Sequence, residues 1–245
     1  SDSVDGNLKG KKIAVIKEIV DSITNDDIKT AFENTLKAME EAGAVINYVS
    51  MDSDLLKAIY PTYIVISCAE ATSNNANLDG IKFGPRMGGD TYEEVMMNAR
   101  TKGFSELIKR RFVIGSYALM RENQEELFLR AQRNRANIVA KVNEILKDYD
   151  FIYLPASPTV APLFESVSDK LSDEYLMADN HLALGNFAGL PSITLPLFFK
   201  EGLPVGINIM GRAFEEKKLF QIAAAFERAS GLANVSILNK KEGNL

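Results

Sequence analysis

The chain has 245 residues, 46% of them hydrophobic and 25% charged, which is typical of a globular protein that can bury one large core. The formal net charge of −5 argues against a broad surface for nucleic-acid phosphates, so any contact with RNA is expected to go through a partner. Cys68 is the single cysteine and cannot form an internal disulfide, and no apolar run reaches the ~20 residues that span a bilayer. We therefore expect a cytoplasmic protein without membrane contact.

The first fifty residues predict a strand, a helix and a second strand. An apolar run at 11–17, bounded by Gly10 and by charged residues, is typical of a buried strand. Apolar residues spaced by three and four over 25–43 predict a helix that ends at Gly43, and residues 44–49 predict the next strand. This order favours a βαβ unit and hence a parallel sheet.

The remainder of the chain continues as an α/β pattern. Residues 53–149 have a mostly helical pattern, broken by a glycine-containing loop at 77–90. We interpret this stretch as a helical insertion in a single α/β unit that covers 1–245. Beyond it the sequence predicts strands at 151–154, 192–197 and 205–210, and a last helix at 215–229.

The motifs of metal, nucleotide and triad sites are absent. The one histidine, His181, cannot form a common zinc site, and we interpret it as a polar residue of a helix. No glycine-rich dinucleotide fingerprint occurs, and the segment 206–213 has strand-forming residues and lacks the lysine and hydroxyl of a phosphate loop. No Gly-x-Ser-x-Gly elbow is present either. The sequence therefore predicts no metal and no cofactor bound by this chain.

One charged residue lies on the apolar face of a predicted helix. At about 100° per residue, the apolar positions between Phe104 and Ala118 form one stripe, with Arg111 in its middle. A guanidinium on an inward face needs an anionic partner, because an unpaired buried charge is costly. That partner is either an internal carboxylate or the carboxylate of a bound ligand. The residues alone leave both alternatives open.

Asp179 offers a complementary charge. It lies on the flank of the apolar stripe in the helix predicted over 172–185, so we expect it to face the same pocket. A guanidinium and a carboxylate in one cleft suit an amino acid, whose α-carboxylate and α-ammonium they would bind. The alternative is that Arg111 and Asp179 pair with each other.

Several blocks of the sequence, taken in order, resemble one enzyme family. They lie at 8–15, 70–74, 79–84, 103–111, 131–132, 158–159, 186–191 and 202–211. Their order and spacing are similar to those of the A subunits of tRNA-dependent amidotransferases, which belong to the amidase-signature family. The resemblance implies an α/β fold with a mixed, largely parallel sheet and helices on both faces, of which this chain would carry only the C-terminal half.

The resemblance also implies a function. In that family the A subunit hydrolyses glutamine, and the ammonia passes to a partner subunit that amidates Glu-tRNA(Gln) with the use of ATP and Mg²⁺. The positions similar to the family's glutamine-binding residues are Tyr63, Arg111 and Asp179. Glutamine is then the substrate, the B and C subunits are the expected partners, and tRNA is contacted only indirectly.

The sequence departs from the family at the catalytic residues. The family's lysine and two serines, the latter in or next to a Gly/Ser-rich segment, have no counterpart here, so we expect no catalytic residue in this chain. We interpret the chain as a fragment of a longer subunit, in which an uncovered sheet edge or apolar face would drive self-association. A stand-alone amidase and a non-catalytic amino-acid-binding module are the alternatives. An apolar amide would need neither Arg111 nor Asp179.

Overall fold

The structure is a computed structural model that describes residues 5–157, 159–161, 163 and 180–232. The strands are β1 (Lys12–Ile16), β2 (Val45–Val49), β3 (Phe151–Pro155), β4 (Ser192–Lys200) and β5 (Leu203–Met210). The α-helices are α1 (Lys17–Asp21), α2 (Asp26–Glu41), α3 (Ser53–Asn74), α4 (Tyr92–Gly103), α5 (Glu106–Leu119), α6 (Arg130–Asp148), α7 (Ala183–Ala188) and α8 (Glu216–Ser230). A π-helical turn (Glu125–Leu129) precedes α6, and a 3₁₀ turn (Asn180–Leu182) precedes α7.

The described strands form one mixed sheet in the order β2-β1-β3-β5-β4. Strand β1 pairs in parallel with β2 and β3, whereas β5 pairs antiparallel with β3 and β4. The antiparallel pair follows from its short connection, because Glu201 and Gly202 both have positive φ, as the tight turns of hairpins require. The predicted α/β class with a mixed sheet is confirmed, and the parallel pairing of β1 with β2 is the one that the βαβ order predicted.

The core lies on both faces of the central strands. Every residue of β3 is buried, and so are Ile13 to Ile16 of β1. On one face the ring of Tyr153 lies between Phe32 of α2 and Phe226 of α8, at centroid distances of 4.9 and 5.9 Å. Burial in this apolar layer raises the pKa of the Tyr153 hydroxyl.

Capping residues at both ends of α2 explain why its ends could be predicted from the sequence. The Asn25 side chain accepts hydrogen bonds from the main-chain N–H groups of Asp27 (3.1 Å) and Ile28 (3.2 Å), which caps the first turn. Gly43, just beyond the helix, has a φ of +96°, a conformation that favours glycine. The predicted start and stop of this helix are therefore confirmed.

The chain divides into two compact units, Ser1–Ile59 with Asn137–Leu245, and Tyr60–Ala136. The sheet belongs to the first unit. The second consists of helices and their connections, and it falls inside the insertion expected over 53–149. Both boundaries lie within helices, α3 and α6. No helix in the described ranges is long and apolar enough to cross a membrane.

Candidate functional site

Helix α5, which carries Arg111, is held closely against α3. A Cβ on Gly115 would lie only 2.1 Å from the carbonyl oxygen of Cys68, so this approach of the two helices requires glycine. The Thr72 hydroxyl shares a bifurcated hydrogen bond between the carbonyl oxygens of Cys68 (2.8 Å) and Phe112 (3.2 Å). Because the second bond crosses from α3 to α5, it fixes the backbone next to Arg111.

Arg111 itself is half-buried, as its place in the apolar stripe predicted. Burial raises the pKa of the Cys68 thiol on the neighbouring helix α3, and the positive charge of Arg111 opposes that shift. In the described part of the chain no carboxylate forms an ion pair with Arg111, whereas its neighbour Lys109 pairs with Glu106 at 2.5 Å. The arginine thus keeps donors for a partner that the described residues do not supply.

The other two predicted glutamine-binding residues are less closely defined. Tyr63 is half-buried in α3, in the same compact unit as Arg111. It lies five positions before Cys68, about 140° around the helix from the side that faces α5. Asp179 lies outside the described residues. The binding roles of Tyr63, Arg111 and Asp179 therefore stay predictions.

Arg100 supports this arrangement, and the sequence patterns did not reveal it. Its guanidinium carbon lies 5.1 Å from the ring centroids of both Phe104 and Phe112. The same group donates hydrogen bonds to the carbonyl oxygens of Asn75 (2.9 Å) and Leu78 (3.1 Å), just after α3 ends. Arg100 thereby ties the end of α3 to α5. The spacing of four between Arg100 in the last turn of α4 and Phe104 directly after that helix was the only signal of this role in the sequence.

The loop at 77–90 is an ordered structural feature next to these helices. The Asp79 carboxylate accepts a hydrogen bond from the Ile81 N–H (2.8 Å), and the Gly80 N–H donates to the Phe83 carbonyl (2.9 Å). A Cβ on Gly80 would lie 2.5 Å from the Ala99 Cβ, so the turn rests directly on α4. The 79–84 block that carries part of the family resemblance thus has a structural reason for its residues.

His181 has a structural contact of its own. It lies in the 3₁₀ turn Asn180–Leu182, and its Nε2 is 2.5 Å from the carbonyl oxygen of Pro155 at the end of β3. Within the described ranges no group of His, Cys, Asp or Glu side chains could hold a metal ion.

Comparison with known proteins gives this geometry a context. The Amidase family profile matches residues 1–220. The A subunit of glutamyl-tRNA(Gln) amidotransferase from Thermotoga maritima is 36% identical over 227 residues, which cover 93% of this chain and 47% of the relative. The corresponding A subunit of Wolinella succinogenes is 36% identical over 234 residues, covering 94% of this chain and 50% of the relative.

Solved structures agree with the sequence match. The crystal structure of the T. maritima A subunit superposes with a TM-score of 0.68 at 32% identity, over 92% of this chain and 44% of that one. A bacterial aryl acylamidase superposes with a TM-score of 0.64 at 16% identity, over 93% of this chain and 45% of that one, and this likeness shows the fold alone. The chain spans about half the length of its amidotransferase relatives. It belongs to the Amidase family, whose members are the amidase-signature enzymes.

Proposed function

We propose that this chain is the part of a tRNA-dependent amidotransferase A subunit that binds glutamine. The half-buried guanidinium of Arg111, without a carboxylate partner among the described residues, is the observation that carries the proposal. The identity to the A subunits of amidotransferases makes glutamine the ligand to test. A planar guanidinium suits a carboxylate because it donates two parallel hydrogen bonds to it.

In this proposal each residue acts on one part of glutamine. Arg111 binds the α-carboxylate, Asp179 binds the α-ammonium, and Tyr63 lines the pocket. The two ends of the amino acid are then fixed, and the side-chain amide is directed toward the reacting group. Because free glutamine carries both charges, the pair also discriminates against amides that lack them.

The chemistry requires a nucleophile from the half of the subunit that this chain does not span. A serine of that half, activated by a lysine, adds to the amide carbonyl and expels ammonia, and water then releases glutamate from the acyl-enzyme. The ammonia serves the B and C subunits, which use ATP and Mg²⁺ to amidate Glu-tRNA(Gln) in the cytoplasm. This chain by itself then shows no turnover and contacts tRNA only through its partners.

The test is a comparison of substrates with and without the α-carboxylate. The chain is co-expressed with the other half of the T. maritima A subunit, and ammonia release is measured from glutamine and from 4-aminobutanamide, which is glutamine without that carboxylate. Arg111→Ala is expected to lower kcat/KM for glutamine by roughly 10–100-fold, the usual loss for a hydrogen bond to a charged group. With 4-aminobutanamide the same variant is expected to match the unsubstituted chain.

Two controls separate binding from folding. Arg121→Ala removes an exposed arginine from the turn after α5 and is expected to change neither substrate. An equal loss for both substrates in Arg111→Ala would instead identify a structural arginine. An absence of glutamine hydrolysis from the co-expressed halves, with or without the B and C subunits, would reject the proposed function.

A further inference from the structure

A cleft in the first compact unit has three lysine side chains on its walls. It has a volume of about 240 Å³ and lies where the segment that leads into β1 crosses helix α8. Lys9 and Lys11 line it from that segment, and Lys218 lines it from the first turn of α8. Phe151 and Ile222, both only 2% exposed, line it from the side of the core. We call this feature the lysine cleft.

The wall formed by the segment before β1 is held closely against α8. A Cβ on Gly6 would lie 2.3 Å from the carbonyl oxygen of Gln221, so only glycine allows the chain to pass this close to the helix. The Arg228 side chain donates a hydrogen bond to the Gly6 carbonyl oxygen and lies 3.7 Å from the Asp5 carboxylate. Leu8, which is 2% exposed, anchors the segment in the core. A backbone with a fixed course therefore presents the lysines that follow, which lowers the entropy cost of binding a ligand.

The charges of the lysine cleft are unbalanced. Of the described residues that line it, three are lysines and one, Asp5, is acidic. Lys218 pairs with Glu215 at 2.5 Å, whereas in the described ranges neither Lys9 nor Lys11 forms an ion pair. Ammonium groups on the walls of one cleft repel each other, and an anion with several negative charges between them would remove that repulsion.

Size and donor chemistry together select the class of ligand. The volume of about 240 Å³ is below the roughly 300–1,000 Å³ of pockets that bury a drug-sized ligand, so the cleft suits a group smaller than a whole nucleotide. Ammonium groups only donate hydrogen bonds, and the amide groups of Asn7 and Gln221 on the same walls can donate as well. Phosphate oxygens are matching acceptors, and a diphosphate spreads its charge over enough of them to contact several lysines. An amino acid would instead bring its own ammonium group close to the lysines.

We propose that the lysine cleft binds a diphosphate group, with the ammonium groups of Lys9 and Lys11 on its oxygens and Lys218 shared between the ligand and Glu215. Free pyrophosphate and the diphosphate of a nucleotide such as ADP offer the same chemistry, and the nucleoside of ADP would project from the open side of the cleft. Such a local site is compatible with the net charge of −5, which argues only against a broad surface for phosphates. The proposal does not depend on glutamine binding, so either can fail without the other.

Isothermal titration calorimetry of the 245-residue chain with pyrophosphate tests the proposal. The titration is done at about 150 mM salt, where scattered surface charges are largely screened, and without Mg²⁺, which would compete for the phosphate oxygens. We expect one site that binds pyrophosphate at least about tenfold more tightly than sulfate. In a second arm, ADP that binds as tightly as pyrophosphate would identify a nucleotide as the source of the diphosphate, and much weaker ADP would identify free pyrophosphate. No binding of either, or equal binding of sulfate, would overturn the proposal.

A double lysine variant separates the cleft from the rest of the surface. Lys9→Ala combined with Lys11→Ala is expected to weaken pyrophosphate binding about tenfold, or about threefold for each exposed charge pair lost. Lys57→Ala combined with Lys102→Ala is the matched control, because it removes the same charge from exposed positions on α3 and α4 that do not line the cleft. The control is expected to bind pyrophosphate like the unsubstituted chain. An equal loss in both double variants would show a response to net charge alone and would refute the assignment.

Gly6→Ala tests the shape of the cleft without changing any charge. The added Cβ meets the backbone of α8, so the segment that carries Lys9 and Lys11 must move away from the helix. We expect pyrophosphate binding to weaken by roughly threefold or more, with an unchanged far-ultraviolet circular dichroism spectrum. Gly103→Ala, in which nothing lies within 4 Å of the added Cβ, is expected to leave binding unchanged. Full affinity in Gly6→Ala would mean that the lysines bind the anion without the cleft, which contradicts the proposal.

Discussion

Gly115→Ala tests the contact that fixes Arg111 against α3. The added Cβ would lie 2.1 Å from the Cys68 carbonyl oxygen and 2.3 Å from Thr72 Oγ1, whereas real Cβ atoms stay beyond 3.0 Å of such neighbours. The obstacle is the backbone of α3, so the two helices must separate by roughly 1 Å. Overpacking of this kind costs about 1–3 kcal/mol, and loss of the Thr72 hydrogen bond to Phe112 adds about 1 kcal/mol. We therefore expect a loss of about 2–4 kcal/mol in the free energy of unfolding.

Urea unfolding followed by far-ultraviolet circular dichroism measures this loss. With an m-value of about 1–3 kcal/mol/M, the midpoint for the unit that contains Gly115 is expected to fall by roughly 1–2 M. Gly103→Ala is the matched control, because Gly103 is exposed at the end of α4 and nothing lies within 4 Å of the added Cβ. That change is expected to be neutral or stabilising by up to about 1 kcal/mol. Equal midpoints for the two variants would refute the close approach of α3 and α5.

Two further predictions concern contacts that hold loops in place. Arg100→Leu removes the hydrogen bonds that Arg100 donates to the two carbonyl oxygens after α3. Trypsin is therefore expected to cut the 77–90 loop at Lys82 and Arg86 several times faster, which mass spectrometry of the fragments would measure. Unchanged cleavage would show that these hydrogen bonds do not hold the loop in place. Burial disfavours the Glu18 carboxylate, but hydrogen bonds from the Ser50 hydroxyl and the Met51 N–H hold its pKa below the ordinary 4.5. A carboxyl group whose pKa is lower in the folded state than in the unfolded state stabilises the fold at any pH above its unfolded-state pKa. This contribution is lost as the pH falls through the folded-state pKa. Because solvent screens this accessible carboxylate, Glu18→Gln is expected to lower the free energy of unfolding by only about 0.5 kcal/mol at neutral pH and not at all in acid. A difference in stability that persists at low pH would contradict this.

The elements of this fold are largely encoded by local sequence patterns. Strand β1, helix α2 and strand β2 follow from an apolar run, a spacing of three and four, and a glycine stop, all of which act within a few residues. The half-buried position of Arg111 was predictable in the same way, since a helix places residues of one stripe on one side. The predicted class, a mixed α/β sheet with helices, was therefore within reach of the sequence alone.

The features that the sequence did not reveal depend on partners far apart in the chain. Arg100 bonds to carbonyls 22 and 25 positions away, and its sequence neighbourhood contains no sign of them. Strand β5 lies between β3 and β4 and is antiparallel to both. This position depends on which strand of the β4–β5 hairpin pairs with β3, and no local sequence pattern encodes that choice.

The sequence by itself determined which segments form strands and helices and that Arg111 lies on the apolar side of its helix. Only the tertiary structure decided that Arg111 lacks a carboxylate partner among the described residues and that Asn208 is buried with an unused acceptor. The physical reason is that periodicity reports the side of an element on which a residue lies. Hydrogen-bond satisfaction depends on atoms that other elements bring within about 3 Å.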